Sequence, residues 1–237
     1  MSDITAFVGT TGGAGTTRVT VEVAATLARD GDDVAILDAA YATQGLADHV
    51  QGRIDPDVTA LVTEEWPLDD GLVELPVETS GRVVAAPAYA PFERLARAKT
   101  PDAARRFERL AETAAREYDA VLVDTPPIAA NQAVAAVTVA DRVALVTPGT
   151  TRGTDALARM RDRLADVGCE VDASVATRTT ETGVADVAVP ESDTTDPGAV
   201  PVCDTADGAL AAAVVEATET TLDRDLDVEF DDGLLGL

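Results

Sequence analysis

Short runs in which nearly every residue is apolar alternate along this chain with longer stretches in which apolar residues recur every three or four positions. "ITAFV", "DVAIL", "RVVAAP", "AVLVD", "RVALVTP" and "VDASVAT" have the first pattern, that of strands buried on both faces. "VTVEVAATLARDG", "DAARRFERLAETAARE", "TDALARMRDRLADVG" and "GALAAAVVEATETTL" have the second and read as helices. In the second of these, Arg and Glu stand at i,i+3 and i,i+4 spacings that support a helix. A short helix is expected near "DVTALVTEE", a loop and helix over "PPIAANQAVAAVTVA", and a short strand and turn at "DVAVPES". The stretch from Asp38 to about Gly81 is otherwise mixed and polar. Strands alternating with helices predict βαβ units, and so an α/β fold with a mostly parallel sheet covered by helices on both faces. One domain is expected over residues 1–222, followed by an acidic, flexible tail over 223–237.

Composition narrows this picture. At 237 residues the chain can bury a substantial core. It is 46% apolar but only 3% aromatic, so that core must be built from Val, Ala, Leu and Ile. The formal net charge is −25, which opposes binding to a nucleic-acid backbone. Lys99 is the only lysine. An acidic, lysine-poor chain resembles the haloarchaeal type of composition, suited to molar salt. There charges are screened within about 3 Å, so a negative excess costs little and keeps the surface hydrated. Cys169 and Cys203 are too few and too far apart for a disulfide framework or a metal cluster. No apolar run reaches the roughly 18 residues of a membrane span, and no signal-peptide pattern precedes the first strand, so a cytoplasmic location is expected.

Ligands of parallel α/β sheets bind beyond the carboxyl ends of the strands, so the residues that follow each strand are the candidates for chemistry. After the first strand comes "GTTGGAGTT", after the second "DAAYATQGL", after "AVLV" the residues "DTPP", and after a later strand "TPGTTRGTDA". A glycine-rich loop running from a strand into a helix offers an anion a nest of backbone amides and a helix N-terminus. Such a loop ordinarily also carries a lysine. "TTGGAGTTR", Thr10 to Arg18, has none. Arg18 lies two residues beyond Thr16, about 200° around a helix, and should leave from another face.

Together these stretches resemble the MinD/ParA family of P-loop ATPases, which reads K-G-G-x-G-K-[ST] in the first loop, D-x-D after the second strand and D-x-P-P after the Walker B strand. The matching residues are Thr11-Gly12-Gly13-Ala14-Gly15-Thr16-Thr17, Asp38-Ala39-Ala40 and Asp124-Thr125-Pro126-Pro127. "ADRVALVTPGTTRGTDALARM" and "VPESD" with "AVPV" also resemble family segments, so the resemblance spans about residues 1–222. It implies a P-loop fold and a remnant nucleotide site at Gly12, Gly13, Gly15, Thr16 and Thr17, with Thr17, Asp38 and Asp124 as the remnant Mg²⁺ set.

The departures from that pattern carry as much weight. Thr10 stands for a glycine, Thr11 for the signature lysine that reaches a dimer partner's nucleotide, and Thr16 for the lysine that holds the β- and γ-phosphates. Ala40 stands for the aspartate that orients the attacking water, and Thr177 for an adenine-contacting asparagine. Lysine avoidance alone would leave arginine at Thr11 and Thr16. Plainer readings stand beside the inherited ones. Asp38 and Asp124 read as strand-end caps or as metal-site remnants, the glycines as close packing or as residual phosphate binding, and Thr16 and Thr17 as helix caps.

The resemblance therefore implies a pseudo-ATPase, a non-catalytic regulator or scaffold in cell shape, division placement or polar positioning of motility or chemosensory machinery. At most it would bind ATP or ADP weakly with Mg²⁺. The alternative is an active positioning ATPase with a rewired site. Expected partners are proteins: a MinD/ParA-type paralogue, a polar or division protein, or a second copy in a homodimer. The tail "LDVEFDDGLLGL" keeps Phe230, Leu234, Leu235 and Leu237 but has no basic residue after Arg224. Its two glycines weaken a helix, which disfavours direct membrane anchoring and leaves recruitment to a pole or membrane to a partner.

Overall fold

The computed structural model describes residues 3–228. Strands β1 (Ile4–Gly9), β2 (Asp33–Asp38), β3 (Val73–Leu75), β4 (Arg82–Ala86), β5 (Ala120–Thr125), β6 (Arg142–Pro148), β7 (Ala173–Thr177) and β8 (Val187–Val189) form one sheet. Their order is β3-β4-β2-β5-β1-β6-β7-β8. Every pairing is parallel except β3 with β4. Helices α1 (Thr16–Arg29), α2 (Val58–Glu64), α3 (Phe92–Ala98), α4 (Pro101–Glu117), α5 (Asn131–Val139), α6 (Thr151–Asp166) and α7 (Ala209–Leu222) cover both faces. The mostly parallel α/β architecture expected from the sequence is the one observed.

Side-chain alternation along β1 divides the core. Ile4, Ala6 and Val8 face a layer built with α2 to α6, where Phe107, Leu157 and Met160 pack. Phe7 faces the other layer, closed by α1 and α7. Because α7 lies over its outer side, α1 has no solvent-facing stripe in its middle, and Val19 through Ala28 are all buried. That explains a helix whose sequence, "VTVEV", alternates like a strand: a helix covered on both sides does not need an amphipathic period.

Two elements within or beside the mixed polar region were not expected. One is β3, whose "VEL" is three residues long, has only Leu75 buried and pairs antiparallel at the sheet edge. The other is α3, seven residues following Pro91. At the other end of the chain, Arg224 bridges Asp30 and Asp32, and the backbone N–H of Asp227 donates to Asp30. The start of the expected tail is thus tied to the turn after α1. Phe230, Leu234, Leu235 and Leu237 lie outside the described residues. Among the described residues no helix is long and apolar enough to cross a membrane.

Candidate functional site

β1 is central in the sheet, flanked by β5 and β6, and the loop from Thr10 to Gly15 leaves its carboxyl end to enter α1. Gly13 and Gly15 hold left-handed backbones, φ 72° and 89°, which a residue with a Cβ adopts only at a cost. The loop's outer carbonyls are held from the side. Thr177 Oγ1 donates to Ala14 O at 2.7 Å, and the Arg178 guanidinium donates to Gly13 O at 2.9 Å. Above Gly12 and Gly13 there is open space. The Ala14 N–H closes a turn onto Thr11 O at 3.3 Å, which leaves the N–H groups of Gly12, Gly13 and Gly15 as the candidates to face an anion.

The threonines of the loop have different tasks. Thr10 is buried, its hydroxyl donating to Thr147 Oγ1 at 3.0 Å. Thr16 Oγ1 is turned down against Gly9, so close that a Cβ built there would meet it at 2.6 Å. Thr17 Oγ1 donates to Asp124 Oδ2 at 2.6 Å. Neither Thr16 nor Thr17 caps the helix as expected. The N-cap is Gly15, with no side-chain cap bond, and both threonines lie inside the first turn.

Asp38 and Asp124 stand directly opposite each other at the ends of β2 and β5, both fully buried. Asp38 accepts from the N–H of Ala40 at 2.7 Å and of Ala88 at 3.0 Å. Burial, followed by the charge of Asp124, pushes its carboxyl up to about 8. Burial pushes Asp124 up to about 6, against the hydrogen bond from Thr17. The 3-10 turn at Gly45–His49 lies over this corner, with Gly45 against Thr17. The structure thus brings Gly12, Gly13, Gly15, Thr16, Thr17, Asp38 and Asp124 to one end of the sheet. Two buried carboxylates and a hydroxyl form an oxygen-only donor set, which fits Mg²⁺. Among the described residues no cluster of three His, Cys, Asp or Glu side chains could hold a metal, so phosphate oxygens and water would have to complete such a site. When bound, Mg²⁺ would neutralise charge shared between these carboxylates and a phosphate.

On the far side of the loop a cleft of about 300 Å³ opens between Gly15, Val19, Thr177, Arg178, Pro190 and Leu210. Arg18 does turn away from the loop, as its helical position predicts. Its guanidinium donates to Glu22 at 2.7 Å, to Thr194 O at 2.8 Å and to Ser192 Oγ at 3.0 Å. Glu22, on the same side of the site, escaped the sequence reading. It is buried and also accepts from the N–H groups of Val202 and Cys203 at 3.0 and 2.9 Å. An acid inside an otherwise apolar helix was the one available signal. At Ala40, itself buried, the chain offers no polar side chain toward the site.

Solved structures with this fold include the septum site-determining protein MinD complexed with Mg-ADP from Pyrococcus horikoshii, at TM-score 0.77 and 18% identity, covering 92% of this chain and 95% of that one. The MinC:MinD cell division protein complex of Aquifex aeolicus matches at TM-score 0.76 and 16% identity, over 96% and 98% of the two chains. A ParA family ATPase from Chlorobium tepidum matches at TM-score 0.75 and 15% identity, over 92% and 99%. No curated protein sequence matches significantly. A family model described as an AAA domain (AAA_31) matches residues 2–175, most of the chain. With that match and the fold, this chain belongs to the MinD/ParA family of P-loop ATPases.

Proposed function

We propose that this protein is a pseudo-ATPase of the MinD/ParA type, a non-catalytic regulator or scaffold in the spatial organisation of the cell. One observation carries the reading: the phosphate loop has lost its charge. Thr11 and Thr16 are neutral, the Thr16 hydroxyl is folded down against Gly9, and Arg18 is committed elsewhere. A charge-assisted bond to phosphate is worth about 1.5–3 kcal/mol, so one missing lysine weakens triphosphate binding by roughly 10- to 150-fold. Positioning and electrostatics are nearly all of phosphoryl-transfer catalysis. Ala40 in place of a carboxylate removes a further part. The residual site at Gly12, Gly13, Gly15, Thr16 and Thr17, with Thr17, Asp38 and Asp124 for Mg²⁺, supports weak ATP or ADP binding.

Partners follow from the relatives. The Aquifex MinD forms a complex with MinC. This chain would likewise engage a protein, such as a catalytically intact paralogue or a polar or division component, working in the cytoplasm and reaching a pole or membrane through that partner. The retained Thr17, Asp38 and Asp124 corner favours a second reading, a working positioning ATPase with a rewired site. Calorimetric titration of ATP and ADP with Mg²⁺ in molar KCl, paired with a hydrolysis assay, decides. Hydrolysis no faster than that of Asp124→Ala is expected. Turnover that Asp124→Ala abolishes would replace the first reading with the second.

A further inference from the structure

We infer that this chain pairs head-to-tail with a second copy of itself, the basic, aromatic surface around α3 of one copy docking on the acidic edge around β8 of the next. The phosphate loop belongs to neither surface.

The sheet order puts the two surfaces at opposite edges. Trp66 precedes the edge strand β3, and Tyr89 and Phe92 follow β4 beside it. The chain has eight aromatic residues, and these three are 46%, 61% and 85% exposed. Their surroundings are fixed. The Tyr89 N–H donates to buried Asp57 at 2.7 Å, and Arg94 on α3 pairs with the same carboxylate at 3.0 Å. Trp66 walls a groove of about 330 Å³ with Leu61, Arg106, Arg109 and Leu110. Exposed aromatics on a held backbone, with arginines around them, are the residue types that anchor protein interfaces.

Charge complementarity names what covers them. From Phe92 to Arg116 the chain carries seven Lys and Arg against four acids, in a protein of net charge −25. From Thr179 to Asp223 it carries ten acids and no Lys or Arg. Glu181, Glu191, Asp193 and Asp196 flank β8 and are all exposed, and Val184 beside them is 55% exposed. Two copies of so acidic a chain repel in most orientations. The one that sets the α3 surface against the β8 edge brings opposite charges together. Surfaces at opposite edges of one sheet cannot meet within one chain, so the complement must come from another copy. A contact between two different surfaces leaves one end of each kind free, and the assembly grows beyond two copies as concentration rises.

The test is sedimentation velocity of the full chain over a range of protein and KCl concentrations, with unfolding midpoints to check that it and each variant are folded. Average mass is expected to rise with protein concentration and to fall as KCl screens the contact. Phe92→Ser with Arg97→Gln should leave the chain monomeric, and so should Glu181→Arg with Asp193→Arg; all four positions are exposed. An equal mixture of the two double variants should form dimers and nothing larger, because each copy keeps one intact end. A parent chain that stays monomeric or stops at dimers overturns the inference. So does a double variant that associates as the parent does, or a mixture that stays monomeric. If the monomeric parent instead floats with phosphatidylglycerol vesicles, and Phe92→Ser with Arg97→Gln does not, the surface belongs to a membrane.

Discussion

Two buried acidic regions flank the start of α1, and they are settled in opposite ways. Glu22 is enclosed on one side, yet every demand of its charge is met within the chain: the Arg18 guanidinium and the N–H groups of Val202 and Cys203 all donate to it. Asp38 and Asp124, on the other side, are as deeply buried and face one another. Among the described residues no Arg, Lys or His forms an ion pair with either. Their carboxyls are pushed up to about 8 and about 6. Even Asp57, close to Asp38, has its own partner in Arg94 at 3.0 Å. A buried acid whose charge is answered from inside the fold is part of the architecture. A facing pair that has hydrogen bonds but no ion-pair partner, its carboxyls pushed up, marks a candidate functional site, and it is where the proposed Mg²⁺ would sit.

The largest effect that tests this contrast is on the answered side. Glu22→Ala orphans the N–H groups of Val202 and Cys203 and takes from Arg18 one of its three acceptors, and leaving two such donors unsatisfied costs about 2–6 kcal/mol. Denaturant unfolding in constant KCl measures it, and a loss below about 1 kcal/mol would mean that the 200–203 turn is held by something else. Next in size, Thr16→Lys should tighten ATP binding by about 1.5–3 kcal/mol without starting turnover, because Ala40 and Thr11 are unchanged. Unchanged affinity would show that the nest has lost its shape and not only its charge. Smallest, Mg²⁺ alone, at a tenfold excess over its dissociation constant, should raise stability by about 1.4 kcal/mol. Asp124→Asn should abolish that gain and Arg18→Gln should leave it intact. A gain that Arg18→Gln removes, or that Asp124→Asn keeps, would place the cation elsewhere.

How much of this was legible in the sequence follows from the physics of each element. Strands buried on both faces announce themselves as unbroken apolar runs, and the residues that follow β1, β2 and β5 necessarily meet at one end of a parallel sheet. That is why Gly13, Asp38 and Asp124 could be brought together from sequence alone. β3 could not be read, since three residues with one buried side chain carry no period. α3 was hidden by its length. Glu22 resembled an ordinary polar position on a helix, because its acceptors' partners lie 180 residues away at Val202 and Cys203. Arg178 had no motif at all. Only folding places β7 beside the loop after β1, through β6, which pairs with both.

The burial of α1 on both sides has a mechanical consequence. A helix packed between a sheet and α7 cannot tilt or slide without opening two apolar layers at once, and interiors this dense resist that. The amide nest at its start is therefore a fixed point. If the proposed nucleotide site is filled, the change would be displayed by the segments beside it: the turn at 45–49, where Gly45 lies against Thr17, and the stretch at 190–195 that lines the cleft next to Gly15. A partner that senses occupancy must touch those segments, and one that docks on the surface of α7 would bind both states alike.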